Sequence, residues 1–251
     1  MTFGGGMMVI FLLAGACVLF TTYRLWQVAL AVGVVASAIA LGETRSIWIG
    51  SFAGGAYLLW SYRPVMVVVA PVVAVLGTAV APQSVGERAL SIVRPRGDMD
   101  SNAHRIALLR TGARMIMAHP LLGVGPGKVP LEFAHYAPED IPRPFPASWY
   151  LGHLHNIYVQ YAAERGIPAM LVFVGFLIWS CCRILRSARL ASVESRWILH
   201  GIAAAILGIL VSGMFEHNMG DSEILLLVLG LLTVGVCVRP RMAEHGGSGA
   251  R

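Results

Sequence analysis

The sequence predicts an all-α polytopic membrane protein, a bundle of about seven helical spans with one large periplasmic loop that contains short helices. Three observations carry that prediction. Of the 251 residues, 57% are hydrophobic and only 13% charged, about half the charged share of an ordinary soluble domain. Mean hydropathy is +0.70. The apolar residues also fall into runs of near-span length, broken once by a long polar stretch from about Pro82 to Asn156.

A span needs about 20 mostly apolar residues. The stretches that approach this are Met7–Thr22, Leu25–Leu41, Ile47–Trp60, Val65–Ala81, Ile167–Leu185, Trp197–Phe215 and Ile224–Val238. The third is short and rich in Gly and Ala, a composition that lets helix backbones approach closely. Pro71 predicts a kink in the fourth. The chain thus divides into 1–82 with four spans, 83–156 as the periplasmic loop, 157–240 with three spans, and 241–251 as a flexible cytoplasmic tail. The first charge is Arg24, so the N-terminus lacks the basic start of a signal peptide. Cys17, Cys181, Cys182 and Cys237 all fall in apolar runs without metal-ligand spacing and read as packing residues.

Charge sets the orientation. The net charge of +6 comes from 18 Arg and the single Lys128. Much of it sits in short loops beside apolar spans, which fits the positive-inside rule rather than a nucleic-acid partner. Arg24, Arg63, Arg183, Arg186, Arg189, Arg196, Arg239 and Arg241 share one face, read as cytoplasmic. The opposite face receives Glu43-Thr44-Arg45, the long loop and the turn Phe215–Glu223. This places the N-terminus outside. A complete bacterial protein more often starts inside, so the chain reads as the C-terminal part of a longer one.

Three pieces distant in sequence meet on that outer face. Arg45 stands where the second span turns into the third, and an ionisable residue at membrane depth is usually paired or functional. Asn102–Ala118 has helical periodicity, with Arg105 on one row and Arg110 and Arg114 on another. Ser101 or Asn102 is its expected cap, and a membrane-surface position is expected for it. It stops at His119-Pro120, followed by Gly123, Gly125 and Gly127, a side-chain-poor turn able to approach a ligand. Without a preceding strand or a Lys-Ser/Thr ending, this is not a nucleotide loop. The third piece is His153-Leu154-His155-Asn156, leading into a helix with Gln160 and Glu164. The two histidines, with His119 or His135, offer zinc ligands, but no HExxH or Cys partner supports a metal, and none is expected. General-base work suits a neutral histidine better, and neighbouring cations favour the neutral form. Arginine is the preferred fork for phosphate oxygens. Two arginines and a histidine outside the membrane therefore outline a glycosyl-transfer site. The arginines would stabilise a departing lipid diphosphate, without ATP.

Those residues also resemble a known family. Arg105, thirteen residues, then His119-Pro-Leu-Leu-Gly-Val-Gly-Pro-Gly127, with His153-Leu-His155-Asn156 and Glu164-x-Gly166, are similar to the O-antigen ligase and O-antigen polymerase superfamily. Glu43-Thr-Arg45-Ser resembles that family's Ser-Arg-Gly segment. Phe215-Glu216, Asn218 and Gly220-Asp-Ser-Glu223 resemble its last outer loop. The likeness runs from about Leu41 to Gly230, with Ser46, Ile49 and Ala169 as departures. The resemblance implies a multi-pass enzyme of the bacterial inner membrane, with its active face periplasmic. It would move a glycan from undecaprenyl diphosphate to lipid A core sugar or a growing glycan, with no cofactor. It assigns catalytic roles to Arg45, Arg105 and His155. The accompanying substrate-binding candidates are His153, Asn156, Glu164 and Arg110. Competing readings are a polysaccharide transporter or flippase and an inactive membrane fragment. The charges gather at span ends rather than at mid-depth, which disfavours transport.

Overall fold

The computed structural model describes residues 2–21, 26–42, 44–68, 87, 99–146, 149 and 151–238. Among these residues every regular element is helical. In chain order they are α1 (Thr2–Phe20), α2 (Trp26–Leu41), α3 (Arg45–Tyr62), α4 (Met99–Ala118), α5 (Val129–Tyr136), α6 (Ile157–Leu190), α7 (Val193–Ser212), a 3₁₀ turn at Asn218–Gly220, and α8 (Ser222–Cys237). Helices α1, α2, α3, α6, α7 and α8 occupy the expected first, second, third, fifth, sixth and seventh spans. Most of the fourth, and the tail at 241–251, lie outside the described residues.

Two helices, α6 and α7, are long and apolar enough to cross a membrane, while α1, α2 and α8 give shorter apolar helices. At 1.5 Å per residue, the 16 residues of α2 rise about 24 Å, somewhat less than a hydrocarbon core of about 30 Å. What these helices expose favours lipid over water. Trp26, Leu30 and Val34 of α2 are 68%, 61% and 62% exposed at i, i+4, i+8 spacing. Leu171, Val172 and Trp179 on α6 and Leu226 on α8 are also exposed. A continuous apolar surface of this kind marks a membrane contact.

The core is centred on α7, which packs against α1, α3, α6 and α8. Most of the apolar stretch of α7 is buried while α6 exposes most of its own, so α7 is central and α6 faces outward. Close approach of α3 to α7 depends on Gly50 and Gly54, one helical turn apart. A Cβ on Gly50 would lie 2.6 Å from the Gly208 carbonyl oxygen; one on Gly54 would lie 2.7 Å from that of Ala204. The Gly/Ala composition of the third span is thus used for packing, as expected.

The bundle has two distinct ends. At one, Phe20 stacks on His200 and meets Tyr62 edge-on. This joins the C-terminus of α1, the C-terminus of α3 with Arg63, and the start of α7. The C-terminal part of α6 arrives here too, bringing Arg183, Arg186 and Arg189. At the other end, Gly5 of α1 lies against Asn218 and Ile224, and Gly4 lies against Ile47. The starts of α1, α3, α6 and α8 meet there, with Arg45, Asn156 and Glu216. Among the described residues, Arg63, Arg183, Arg186 and Arg189 thus lie at one end of the bundle and Arg45, Asn156 and Glu216 at the other, while Arg24, Glu43, Arg239 and Arg241 lie outside the described residues.

Residues 99–146 build a second, smaller core. Ala107, Leu108 and Met115 of α4 pack with Val129 and Phe133 of α5, Ile141, Leu154 and Ala163. One expectation for α4 changes. The helix begins at Met99, so Ser101 and Asn102 lie within it and do not cap it. Its apolar row packs against α6. A Cβ on Gly112 would meet Val159 Cγ1 at 2.5 Å.

Replacement of Gly54 by Val should destabilise the bundle by about 1–3 kcal/mol. Gly55→Val should stay within about 0.5 kcal/mol, because nothing lies within 4 Å of its Cβ position. Thermal unfolding of the two variants in the same detergent measures the difference.

Candidate active site

The start of α6 is sewn to the end of α7. Asn156, with extended backbone, caps α6 by accepting hydrogen bonds from the Tyr158 and Val159 N–H groups, both at 2.9 Å. Its own amide donates to the Met214 carbonyl at 2.9 Å, and the Ile157 N–H donates to the Gly213 carbonyl at 2.8 Å. One residue earlier, His155 has φ = 48°. A non-glycine residue in that left-handed region costs about 1–3 kcal/mol and persists only where its neighbours enforce it. Here both do. Asn156 is fixed as the cap, and the fully buried Leu154 donates its N–H to Gln160 Oε1 at 2.8 Å.

The enforced turn aims the His155 ring at α7's exit. His155 Nδ1 lies 2.9 Å from Glu216 Oε1, with side chains 10% and 5% exposed. The same oxygen accepts the His217 N–H at 3.0 Å and faces His153 Nε2 at 3.8 Å. Burial tends to raise the Glu216 carboxyl, but the hydrogen bond and charge of His155, and the His217 N–H, outweigh it and hold the group below its usual range. Glu216 is therefore a carboxylate and can only accept, so His155 donates to it through Nδ1–H and leaves Nε2 on the other side of the ring. Burial, then the neighbouring His155, lowers His153. Burial, then His153, lowers His217 to about 4. Both rings are thus kept neutral near neutral pH.

Aromatic rings close around this pair. His104 of α4 stacks on Trp149 at 5.1 Å and meets the His155 ring edge-on at 5.7 Å. His153 lies 4.3 Å from His155 and 5.8 Å from His217. Among the described residues, the buried polar atoms Trp149 Nε1, His217 Nδ1 and Asn218 Nδ2 have no hydrogen-bond partner. Such groups normally find partners; Ser46 Oγ, Ser51 Oγ and Arg196 Nε are likewise buried without one.

The two arginines approach from different elements. Arg45 opens α3 at this end of the bundle, half-buried. Arg105, also half-buried, is adjacent to His104 and seven residues before Gly112. Seven residues are almost two full turns, so Arg105 shares Gly112's face, about 10 Å along the axis. That face packs toward Leu154 and Val159. From α4 the ring that meets His155, at 5.7 Å, is His104, which no sequence motif marks.

The other candidates hold the chain together. The Glu164 carboxylate is buried and accepts from the Gly127 N–H at 2.9 Å, Gln160 Nε2 at 2.9 Å and Arg165 at 2.6 Å. Arg110 pairs through both terminal nitrogens with Asp140 at the surface, which holds that carboxyl below its usual range. His119 shares a hydrogen bond with Tyr136 at 2.8 Å. The zinc partners sought at His119 and His135 thus lie about Tyr136, and Glu216 stands beside His153 and His155 instead.

The glycine run acts on α6. Gly166 has φ = 83°, which breaks the helix, and Pro168 has no N–H to offer the Glu164 carbonyl. The loop supplies the missing partners. Val124 N–H donates to the Ala163 carbonyl at 2.8 Å, Gly125 N–H to that of Glu164 at 3.0 Å, and Ile167 N–H to that of Pro120 at 2.8 Å. Gly123 and Gly166 allow this contact, since a Cβ on Gly123 would lie 2.5 Å from Arg165 N and one on Gly166 would collide with the Leu121 carbonyl. The close approach expected of this turn is made, at Gly123, to the chain's own backbone.

A model of the O-antigen ligase family matches residues 9–174. The chain belongs to the O-antigen ligase family. Comparison with the curated proteins finds no match. Membership gives the general function, a membrane protein of ligase or polymerase type that transfers glycan between a lipid-linked donor and an acceptor. Within the O-antigen ligase match lie Arg45, Arg105, the glycine run, His153–Asn156 and Gly166, while Glu216 lies beyond it. In the sequence Glu216 stands only as one residue of the turn Phe215–Glu223, with no role attached. Its signal was present, as an acidic residue at the end of an apolar span; its partner was not, because His155 is 61 residues away.

Gly123→Ala should unseat the loop from α6 and increase proteolytic cutting between His119 and Lys128. Gly127→Ala meets open space, costs only the left-handed backbone penalty of about 1–2 kcal/mol, and should leave the cutting pattern near wild type. Limited proteolysis of both in detergent compares them.

Proposed function

We propose that the chain is a metal-independent glycosyltransferase of O-antigen ligase or polymerase type, acting on the periplasmic face of the bacterial inner membrane. The donor is a glycan on undecaprenyl diphosphate, and the acceptor is a lipid A core sugar or growing glycan hydroxyl. The observation that carries this reading is the His155–Glu216 pair, a buried 2.9 Å contact on an enforced left-handed turn, at the bundle end where α3 presents Arg45.

In this scheme Glu216 holds the His155 Nδ1 proton, so that Nε2 faces the reaction as base. The acceptor hydroxyl gives its proton to Nε2 as its oxygen forms a bond to the anomeric carbon. The bond from that carbon to the diphosphate oxygen breaks, and its electron pair leaves with the diphosphate. Arg45 and Arg105 stabilise the charge that grows there, each charge-assisted contact being worth about 1.5–3 kcal/mol. The imidazolium formed on His155 is stabilised by the Glu216 carboxylate. His153 and Asn156 line and fix the acceptor side. Glu164 and Arg110 contribute by holding the loop that carries the site.

His155→Ala should lower glycan transfer by about 10²–10⁴-fold, the usual weight of a general base. Arg45→Ala and Arg105→Ala should each abolish transfer with the protein still in the membrane, and Arg45→Lys should restore little because the fork is lost. Surface polysaccharide in a strain that depends on this protein provides the readout, and normal polysaccharide in all three alanine variants would sink the assignment. With preformed lipid-linked donor, transfer should continue in EDTA and without ATP. Loss on chelation, regained with a divalent ion, would overturn the metal-free scheme.

A further inference from the structure

We propose that His153, His155 and Glu216 form a binding site for Zn²⁺ that switches the transfer reaction off. One ligand atom from each of the three side chains falls within 4.8 Å of the others. Glu216 Oε1 stands 2.9 Å from His155 Nδ1 and 3.8 Å from His153 Nε2. Tetrahedral zinc with bonds of about 2.0–2.1 Å places its ligands about 3.3 Å apart. These separations straddle that value, so closing on a metal needs shifts on the order of 1 Å, within reach of ring rotations on the 153–155 turn.

Two imidazoles and one carboxylate, with a fourth position left for water, are a ligand set suited to zinc. They suit Mg²⁺ or Ca²⁺ poorly, since those ions prefer oxygen. The Glu216 carboxylate supplies the negative charge inside a buried setting, and its hydrogen bond from the His217 N–H orients it, as outer partners orient metal ligands. His104 and Trp149 pack beside the His155 ring and limit where it can turn.

The consequence for activity follows from the tautomer. In the proposed mechanism His155 Nδ1 carries the proton that Glu216 accepts, and zinc bound at Nδ1 takes that proton's place. A neutral imidazole bound through Nδ1 carries its proton on Nε2, and that nitrogen can no longer accept one from an acceptor hydroxyl. Zinc therefore opposes the base without touching the arginines. This inhibitory step rests on His155 being the base; the binding site itself does not.

The test uses the full chain purified in detergent, titrated with ZnCl₂ alone by calorimetry and by competition with a chromogenic chelator. One Zn²⁺ should bind per chain, and His153→Ala and Glu216→Gln should each weaken binding by at least about tenfold, with thermal unfolding showing that both variants are folded. Mg²⁺ should not compete. Glycan transfer by the wild-type chain should fall in step with zinc occupancy and return with EDTA. Failure of zinc to saturate at one site, or binding unchanged in both variants, overturns the proposed site. Stoichiometric binding at this site with transfer undiminished overturns the switch, and it contradicts His155 as base while leaving the binding result intact.

Discussion

A helix broken in its middle leaves carbonyl groups that need donors, and the whole polar half of this protein is arranged around that need. In α6 the break falls at Gly166, and Pro168 removes a donor that a regular helix would have provided. The turn from His119 to Gly127 fills the gap with its own backbone, by donation from Val124 and Gly125 and acceptance by Pro120. An unpaired buried carbonyl or N–H costs about 1–3 kcal/mol, so several such bonds together fix the loop's position on α6. Glu164 reinforces the seam from the side-chain direction, receiving Gly127, Gln160 and Arg165 at once.

That seam reaches the histidines through a short chain of hydrogen bonds. Glu164 accepts from Gln160, and Gln160 accepts from the Leu154 N–H. Leu154 in turn belongs to the small core made by α4 and α5. His155 is held between this anchored residue and the Asn156 cap, and its left-handed backbone is the result. The strain is local, but the bonds that enforce it run from the loop, through α6, to the exit of α7. A side chain that must keep one orientation gains from being fixed from both sides.

The bundle supplies the other half of the arrangement. Helix α7 is central because its small residues let α1 and α3 approach, with Gly50 against Gly208 and Gly54 against Ala204. That packing brings the start of α3, and so Arg45, to the end where α7 delivers Glu216. Hydrophobic exposure on α2, α6 and α8 faces outward, which suits lipid around the bundle and leaves polar chemistry to the ends. The same buried carboxylate that orients His155 also brings it within a metal's reach of His153, so orientation and susceptibility to zinc share one geometry.

Much of this was legible in the chain itself. Apolar runs of near-span length fixed where α1, α2, α3, α6, α7 and α8 fall, because hydrocarbon thickness sets helix length and leaves little choice. Arginine spacing divided the chain into two faces, and the motif residues Arg45, Arg105 and His155 identified the polar end. Three things depended on the tertiary structure. Glu216 became a partner of His155 only when the exit of α7 met the start of α6, a pairing across 61 residues that no local pattern encodes. The glycine run looked suited to a ligand, since glycine permits close approach without saying to what; folding gave Gly123 the α6 backbone as its neighbour. Ser101 and Asn102 had the chemistry of a cap, yet α4 extends past them to Met99, and propensity is a weak guide once a helix is packed. Sequence determines which segments are helical and which side chains carry chemistry. Only packing decides which of those side chains touch, because contact depends on where separate helices cross.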